Sequence, residues 1–253
     1  MTPLLSVRGL VRRYGALVAV DHVEFTVLPG EVHAVIGPNG AGKSSFLALL
    51  AGEARPDAGE IEFAGTNITR LPAFARARLG IARAFQITAV IPDFPVLQNA
   101  VLAVLASVGR GFGMGRAAMH DPVLLDGARR LLARVGLAAQ ESRLAGDLAH
   151  GAQRQLELAM ALAGRPRLLL LDEPIAGTGP EESRAMVALL QSIRQAPGER
   201  PGIVLVEHDL EAVFALADRI TVMAEGRVIA CDVPDRIRAD AAVRAAYLGD
   251  DAR

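Results

Sequence analysis

The sequence predicts an α/β fold with a mostly parallel sheet, into which a helical segment is inserted. Three observations predict it. A glycine-rich loop at 37–45 lies between a predicted strand and a predicted helix, 168–171 is an unbroken run of leucines, and the composition of 71–163 changes to Ala, Leu and Arg. Continuous apolar strands are typical of central parallel strands that are covered on both faces, whereas stretches rich in Ala, Leu and Arg favour helices.

The first 36 residues are predicted to form short strands that are separated by turns. Glu24–Leu28 is followed by Pro29-Gly30, a strong turn signal, and then by the strand that enters the glycine-rich loop. The next predicted strand after that loop carries Ile61 and Phe63 on one face, because alternate side chains of a strand point the same way.

The glycine-rich loop satisfies the phosphate-loop pattern G-x-x-x-x-G-K-[ST]. It follows the short buried strand predicted at Glu31–Ile36 and leads into a helix predicted at Ser44–Ala51, which ends at Gly52. Such a loop turns consecutive N–H groups and the helix N-terminus towards one anion. Lys43 would reach the β- and γ-phosphates of a nucleotide, and the Ser44 hydroxyl would hold Mg²⁺. The alternative is a glycine-rich turn before an ordinary helix. The candidate nucleotide-binding residues here are Gly37, Asn39, Gly40, Ala41, Gly42, Lys43, Ser44 and Ser45.

The chain uses arginine almost exclusively as its basic residue. Of its 27 Lys and Arg residues, the single lysine is Lys43. Lysine is a compact point charge and arginine a planar fork, so the two are not interchangeable at a phosphate loop. The position of the lone lysine therefore strengthens the phosphate-loop prediction.

Charge, cysteine content and hydropathy exclude several classes of protein. The net charge of −1 and the pI near 6.5 argue against a nucleic-acid surface that depends on bulk charge. Cys231 is the only cysteine, which excludes an internal disulfide and a cysteine-rich metal site. The mean hydropathy of +0.31 is high for a soluble protein, yet the apolar run Ala100–Ala106 is far too short to span a bilayer. Because the N-terminus also lacks the apolar core of a signal peptide, we expect a cytoplasmic chain.

A helix with a glycine near its start is predicted after residue 148. Residues 148–153 read Leu-Ala-His-Gly-Ala-Gln, and the apolar residues that follow recur at helical spacing until Gly164 and Pro166 end the helix. A glycine at the start of a helix leaves N–H groups open to an anion, although the pattern by itself is nonspecific.

Two acidic residues end the leucine-rich strand. Asp172 and Glu173 follow the leucines and precede Pro174, at the carboxyl end of a strand, where ligands bind in open α/β sheets. Asp172 would steady Mg²⁺, and Glu173 could accept a proton from an attacking water. The alternative is a solvated acidic pair at a strand end.

A second buried strand, predicted at Ile203–Val206, ends in Glu207-His208-Asp209. A lone histidine in such a place is structural more often than functional, but His208 shares the rim of the sheet with the two acids of the leucine-rich strand.

Two further features leave alternatives open. Tyr14 could stack on a nucleobase, but its spacing from the loop favours a half-buried surface tyrosine. The apolar residues of 87–95, which follow Phe85-Gln86, either pack internally or form an exposed docking patch.

Taken together, these motifs resemble an ATP-binding cassette (ABC) ATPase subunit over essentially the whole chain. They occur in that family's order, and the conjunction is far more specific than any one motif. The motifs are the phosphate loop, Gln86, LAHGAQ at 148–153, LLLLDEP at 168–174 and His208. Within the family, the sequence is similar to the ATP-binding subunits of branched-chain amino acid importers and of their urea-transport relatives. This likeness is carried by ARAFQ at 82–86, GAQRQLELA at 151–159, VEHD at 206–209 and VRAAYLG at 243–249.

The resemblance implies a role for each candidate residue, with ATP and Mg²⁺ as cofactors. It implies that Tyr14 stacks on the adenine, against the interpretation that its spacing favours, and that His208 contacts the γ-phosphate. Gln86 would sense Mg²⁺ and the attacking water while touching a membrane subunit. The implied catalytic residues are Lys43, Gln86, Glu173 and His208, and the implied metal ligands are Ser44, Gln86 and Asp172. The residues implied to complete the ATP site of the opposite subunit are Ala149, Gly151 and Gln153.

The resemblance also implies the architecture of one ABC ATPase domain of the P-loop NTPase class over 1–253. Its RecA-like, mostly parallel sheet would carry an N-terminal antiparallel β subdomain and an inserted helical subdomain. The implied parts are a nucleotide-binding core at 1–86 and 164–233, a helical signature subdomain at 87–163 and a C-terminal helical tail at 234–253.

The implied partners follow from the way in which this family works. Two ATPase subunits sandwich ATP, and closure of the sandwich drives membrane subunits. The resemblance thus implies a second ABC ATPase subunit, which is a different chain, two membrane permease subunits and, indirectly, a solute-binding protein, but no nucleic acid. It places the chain peripherally on the cytoplasmic face of the bacterial inner membrane.

The chain departs from the family pattern in two places. Ala149 stands where the general signature has serine, which removes one hydroxyl contact to the γ-phosphate, although the importer subgroup often has the same alanine. Residues 176–179 lack the aspartate that is common in the loop between subunits. The first departure is not taken as inactivation, and the second leaves the communication between the two sites open.

Three other functions were weighed against amino acid import. The first is the ATPase of another ABC system, such as a urea importer or a lipopolysaccharide-type exporter. The second is an ABC ATPase that works away from membranes. The third is an unrelated phosphate-loop enzyme such as a small-molecule kinase, which would leave Gln86, the 148–153 segment and His208 unexplained.

Overall fold

The computed structural model describes residues 2–84, 90–109, 119–177, 179–196, 198 and 200–248. Gln86 lies outside these residues, as do the neighbouring part of the 87–95 segment, Thr178 and the end of the predicted tail.

An antiparallel sheet is formed by the N-terminal strands, in the order β2-β1-β4-β5. Its strands are β1 (Leu5–Tyr14), β2 (Leu17–Val27), β4 (Ala58–Phe63) and β5 (Thr66–Asn67). Buried side chains such as Leu5, Val7 and Ile61 face one side of this sheet. The two longest strands form a hairpin in which Tyr14 pairs with Leu17 at the turn.

A second, six-stranded sheet has the order β10-β9-β3-β8-β7-β6. Its strands are β3 (Val32–Ile36), β6 (Ile81–Ala84), β7 (Leu168–Asp172), β8 (Gly202–Val206), β9 (Arg219–Ala224) and β10 (Arg227–Asp232). All neighbouring pairs are parallel except β10 with β9. Every residue of β3, β7 and β8 is buried, as expected for central strands covered on both faces.

Strand β6 differs from the prediction for this part of the chain, because the composition of 71–163 indicates helices. Its residues Ile81–Ala84 pair in parallel with Leu168–Leu171. The Ala and Arg residues of this stretch have little intrinsic strand preference, but pairing with the leucine strand overrides it, because strand propensity depends strongly on context.

Helices cover both faces of the six-stranded sheet. On one face, α1 (Lys43–Ala51) lies between the two sheets, where Phe46, Leu47 and Leu50 pack against side chains of both. The other face is covered by α5 (His150–Leu162), α6 (Pro180–Gln195) and α7 (Leu210–Leu216). The helix N-termini of α1 and α7 therefore meet the carboxyl ends of β3 and β8.

The central part of the chain is helical and has a core of its own. Its helices are α2 (Ala73–Arg78), α3 (Val96–Ser107), α4 (Pro122–Arg134) and α5. Val101, Leu132 and Leu156, one from each of α3, α4 and α5, are buried in this core. The chain ends in α8 (Pro234–Ala239) and α9 (Ala241–Leu248). Throughout the described part of the chain, each helix is too short or too polar to cross a membrane.

The observed architecture confirms the predicted fold class, an α/β sheet with an antiparallel β subdomain and inserted helices. The limits of the subdomains stay predictions.

Candidate functional site

The loop at 37–42 joins β3 to α1 and is shaped by its glycines. Gly37 has φ 152° and Gly42 has φ 95°. A Cβ atom on Gly37 would lie 2.1 Å from the Met223 carbonyl oxygen, and one on Gly42 would lie 2.0 Å from that of Ala19. A backbone oxygen cannot move aside as a flexible side chain can, so glycine is required at both positions. The loop is thereby pressed against β9 on one side and β2 on the other.

Lys43 is the first residue of α1 and lies across the mouth of the loop. It is only 7% exposed, and its Nζ donates hydrogen bonds to the carbonyl oxygens of Gly37 at 2.7 Å and Pro38 at 3.0 Å. Burial lowers the pKa of Lys43, while the nearby carboxylates of Glu173 and Asp172 act in the opposite direction. The ammonium is thus held between the loop carbonyls and the two acids that the sequence singled out. Ser44, the next residue, is exposed.

Asp172 ends β7 and has one carboxylate oxygen available for a cation. Its Oδ2 accepts a hydrogen bond from Arg83 Nη2 at 2.7 Å, and Arg83 also contacts Glu53. Asp172 Oδ1 is buried and has no hydrogen-bond partner among the described residues. A buried carboxylate oxygen without a donor is costly, and oxygen is the ligand that Mg²⁺ prefers. The unpaired Asp172 Oδ1 therefore fits the chemistry of a magnesium ligand.

Glu173 is held in an unusual backbone conformation. Its φ is 51°, in the left-handed region that residues other than glycine rarely adopt. Its N–H donates to the Val206 carbonyl at 2.8 Å, and its carbonyl accepts from Ala176 N at 3.2 Å and from Arg154 Nη1 at 2.7 Å. Strained residues of this kind cluster at functional sites. The strain here coincides with the residue that the sequence proposes as the base.

The end of β8 supplies a histidine and a buried acid. The side chain of His208 is 60% exposed, and its Nδ1 lies 3.9 Å from Glu173 Oε1. Glu207 is fully buried: its Oε1 accepts from Ile175 N at 2.8 Å and its Oε2 from His208 N at 3.2 Å. Burial raises the pKa of Glu207, and those two hydrogen bonds oppose the rise. Glu207 therefore ties the loop after β7 to the loop after β8.

The signature segment (residues 148–153) lies at the N-terminus of α5. Ala149 is the N-cap, and no side chain of the described residues caps this end. Ala149 and His150 are exposed. The amide of Gln153 turns back into the preceding turn, where its Nε2 donates to the carbonyls of Ala145 and Leu148 at 3.2 and 3.3 Å. The N–H groups of this first turn thus face the surface.

Tyr14 lies at the tip of the β1–β2 hairpin and is 46% exposed. The guanidinium of Arg12 stands 4.6 Å from the centre of its ring and covers one face of it. Ala19, the third residue of β2, contacts Gly42 of the phosphate loop. The hairpin tip and the loop are therefore neighbours.

The structure brings four sequence-predicted residues to one rim, and these are Lys43, Asp172, Glu173 and His208. No contact between them and the signature residues Ala149, Gly151 and Gln153 is seen in the part of the chain that is described. Three site residues were missed by sequence reasoning, namely Arg83, Arg154 and Glu207. All three lie inside motifs that the sequence singled out, ARAFQ, GAQRQLELA and VEHD, but their roles depend on contacts that only the fold creates.

Known proteins and family models that the chain resembles belong to one family. A family model described as "ABC transporter" matches residues 20–176, and one described as "Branched-chain amino acid ATP-binding cassette transporter" matches residues 227–253. The chain is 36% identical over 255 residues to the high-affinity branched-chain amino acid transport ATP-binding protein LivG of Escherichia coli K12, with 98% of each chain covered. It is 35% identical over 253 residues to BraF of Pseudomonas aeruginosa, again with 98% of each covered.

The fold has the same affiliation. The crystal structure of a nucleotide-free ATP-binding cassette from an ABC transporter superposes with a TM-score of 0.86 at 25% identity, and the match covers 97% of this chain and 99% of that one. The matching family model spans more than half of the sequence, and the relatives align over nearly its whole length. The chain therefore belongs to the ABC transporter family, as a nucleotide-binding ATPase.

Proposed function

We propose that this chain is the ATP-hydrolysing subunit of an importer of branched-chain or related amino acids, and that it drives separate membrane subunits. The observation that carries the proposal is the near-complete alignment with LivG and BraF, joined to the C-terminal match at 227–253. The C-terminal match is to a branched-chain amino acid family and is separate from the general ABC match at 20–176.

Phosphate binding is assigned to the loop before α1. Lys43 exchanges its two carbonyl partners for oxygens of the β- and γ-phosphates, and the N–H groups at the start of α1 face the same anion. Tyr14 stacks on the adenine with the ring face opposite to Arg12. The residues proposed to bind ATP in this chain are Tyr14, Gly37, Asn39, Gly40, Ala41, Gly42, Lys43, Ser44 and Ser45.

Mg²⁺ is assigned to Ser44 and Asp172, with Gln86 as a further ligand from outside the described residues. The free Oδ1 of Asp172 supports this assignment. When bound, the ion neutralises charge that builds up on the terminal phosphates.

Water activation is assigned to Glu173. Its carboxylate accepts the proton of the attacking water, while His208, 3.9 Å away, donates a hydrogen bond to the γ-phosphate. Lys43 stabilises the charge that develops on the transferred group. Gln86 is retained as a catalytic candidate that positions the water.

The signature segment is assigned to the ATP of a second ABC ATPase chain, which we take to be a different protein. The uncapped N-terminus of α5 offers N–H groups and a positive helix end to a phosphate. Ala149, Gly151 and Gln153 are the residues proposed to act in this way. Gln153 does so indirectly, because its amide shapes the turn before the helix.

Two membrane permease subunits are proposed to dock in a wide groove between the edge strand β6 and helices α2, α3 and α5. Phe74 and Leu79 lie in this groove and are 66% and 39% exposed. Arginines at both ends offer a charged rim to a cytoplasmic loop. The remaining groove residues include Arg78, Ala103, Met160 and Arg165. The chain is thus peripheral on the cytoplasmic face of the membrane, and a solute-binding protein supplies the amino acid without touching it.

The proposal is tested by uptake of labelled leucine, isoleucine and valine in a strain that lacks the gene. The wild-type chain is expected to restore uptake. E173Q is expected to bind ATP but to restore none, because the base is missing while the phosphate loop is intact. Unchanged leucine uptake in the deletion strain, combined with loss of urea uptake, would contradict the branched-chain assignment and leave the ATPase role standing.

A further inference from the structure

Helix α5 reaches the strained residue Glu173 through one buried side chain. Arg154, one turn into the helix, is 7% exposed. Its Nη1 donates to the Glu173 carbonyl oxygen at 2.7 Å, and its Nε donates to His150 Nε2 at 3.2 Å. The guanidinium of Arg154 therefore bonds both to the first residue of α5 and to the carbonyl group of Glu173.

The backbone of Glu173 has a conformation that such a contact can stabilise. Its left-handed φ of 51° persists only when surrounding contacts hold it. Val206 and Ala176 also form hydrogen bonds with this backbone, and they belong to β8 and to the turn itself. Arg154, in contrast, belongs to the helical part of the chain. A displacement of α5 relative to the sheet would therefore change the hydrogen bond from Arg154 to the Glu173 carbonyl.

The contact from Arg154 is also chemically strong. A buried guanidinium must find acceptors for its N–H groups, and a hydrogen bond from a charged donor is stronger than one between neutral groups. The Arg154 guanidinium finds such acceptors in the Glu173 carbonyl oxygen and in His150 Nε2.

We propose that Arg154 is a positioning residue that couples the N-terminus of α5 to the backbone conformation of Glu173. The inference rests on the proposed function, in which α5 serves the ATP of the second chain and Glu173 serves the ATP of this chain. Through Arg154, engagement of one ATP aligns the base at the other, so the two sites communicate inside one subunit. This route does not require the aspartate that is common in the family and absent from the 176–179 loop.

The experiment compares R154M, R154K and R143M with the wild type, each as the full chain purified with the transporter subunits that it binds. Arg143 is the matched control, because its Nη2 also donates to a backbone carbonyl at 2.7 Å, that of Asp147, but on an exposed surface away from Glu173. The kcat and KM for Mg·ATP, the Hill coefficient of hydrolysis and the Kd for a fluorescent ATP analogue are measured.

For R154M, we expect kcat to fall about 10- to 100-fold, because misplacement of a catalytic group has effects of this size. KM and the Kd are expected to stay within about 3-fold, since the phosphate loop is untouched. The Hill coefficient is expected to exceed 1 in the wild type and to fall towards 1 in R154M. R154K, whose ammonium still donates one hydrogen bond, should recover part of kcat, and R143M should match the wild type.

Several outcomes would overturn the inference. They are a wild-type Hill coefficient of 1, an unchanged kcat in R154M, and equal losses of kcat and ATP affinity. If R154M fails to fold in a thermal unfolding measurement, R154K carries the test, and a wild-type kcat together with a wild-type Hill coefficient in R154K would contradict the coupling. Failure of the proposed function looks different, because then the wild-type protein itself would neither bind nor hydrolyse ATP.

Discussion

Two helices of this protein, α1 and α5, begin at glycine-containing loops. They differ in how far the rest of the chain surrounds their N-termini. At α1, Gly42 abuts the backbone of Ala19 and the Lys43 side chain is buried against loop carbonyls. At α5, Ala149 and His150 are exposed, and the nearest atoms to a Cβ on Gly151 would be those of the Glu182 carboxylate, at 2.9 Å. The N-terminus of α1 is thus enclosed by the protein, whereas the N-terminus of α5 lies at its surface.

The difference indicates which site one chain can complete by itself. Both helix ends leave backbone N–H groups without helical partners, and both carry the positive end of a helix dipole. At α1, the acids of β7 and the ammonium of Lys43 stand beside those N–H groups. At α5, neither an acid–lysine pair nor a capping side chain is present in the described part of the structure. In the proposed function, the second helix end is completed by the nucleotide of another chain.

The largest expected effect comes from removing the group that distinguishes the α1 end. K43A is expected to lower ATP hydrolysis about 100-fold or more, because it deletes a preorganised charge that faces the phosphates. Phosphate release by the purified protein is the measurement. R8A serves as the control, since it also removes one positive charge but from an exposed pair with Glu62 on the antiparallel sheet. Hydrolysis by K43A near the wild-type rate would remove Lys43 from the site.

The next effect compares the two glycines directly. G42A is expected to lower the free energy of unfolding by roughly 3 kcal/mol, because alanine is strained at φ 95° and its Cβ would collide with a backbone oxygen. G151A is expected to leave the free energy of unfolding unchanged or to raise it by about 0.5–1 kcal/mol. Its Cβ meets the far end of the flexible Glu182 side chain, which can rotate away. Urea denaturation followed by circular dichroism measures both.

G151A is expected to impair ATP hydrolysis although it does not lower the free energy of unfolding. G151A should bind ATP at its own phosphate loop as the wild type does, yet hydrolyse it about 10-fold more slowly in the assembled pair, because the added methyl group obstructs a phosphate at the helix end. A G151A protein as unstable as G42A would contradict the contrast between an enclosed and an open helix start.

The local features of this contrast were predictable from sequence. The phosphate-loop glycines and the leucine run are short-range patterns, and the structure places β3, α1 and β7 where those patterns predict them. Strand β6 was not predictable in this way, since Ile81–Ala84 becomes a strand only by pairing with residues far along the chain.

Contacts between distant residues account for the rest of what the sequence could not provide. Glu207 looks like a polar rim residue beside His208, but it is buried because its carboxylate accepts an N–H from Ile175, 32 positions away. The sequence contains 26 arginines, of which Arg154 is one. Its hydrogen bond to the Glu173 carbonyl joins residues that are 19 positions apart. Neither pair of residues lies within one helix or strand, so periodicity carries no information about these two contacts.

The smallest expected effect concerns binding of the adenine of ATP rather than of its phosphates. It tests how far the enclosed site at α1 extends. Y14A is expected to weaken ATP affinity about 10-fold, since stacking of a base on an aromatic ring contributes about 1–3 kcal/mol. The kcat should change little, because Lys43 and Glu173 are untouched. Titration with a fluorescent ATP analogue measures the affinity, and L17A is the control, because Leu17 pairs with Tyr14 and is 65% exposed.

The control decides between the two interpretations of Tyr14. If Y14A and L17A bind ATP equally well and as tightly as the wild type, Tyr14 is a half-exposed surface residue whose ring packs against Arg12, and the enclosed site ends at the phosphate loop. If Y14A alone binds more weakly, the site reaches the hairpin tip through the contact between Ala19 and Gly42. The antiparallel sheet then contributes to nucleotide binding directly, whereas the α5 end has no comparable support from its own chain.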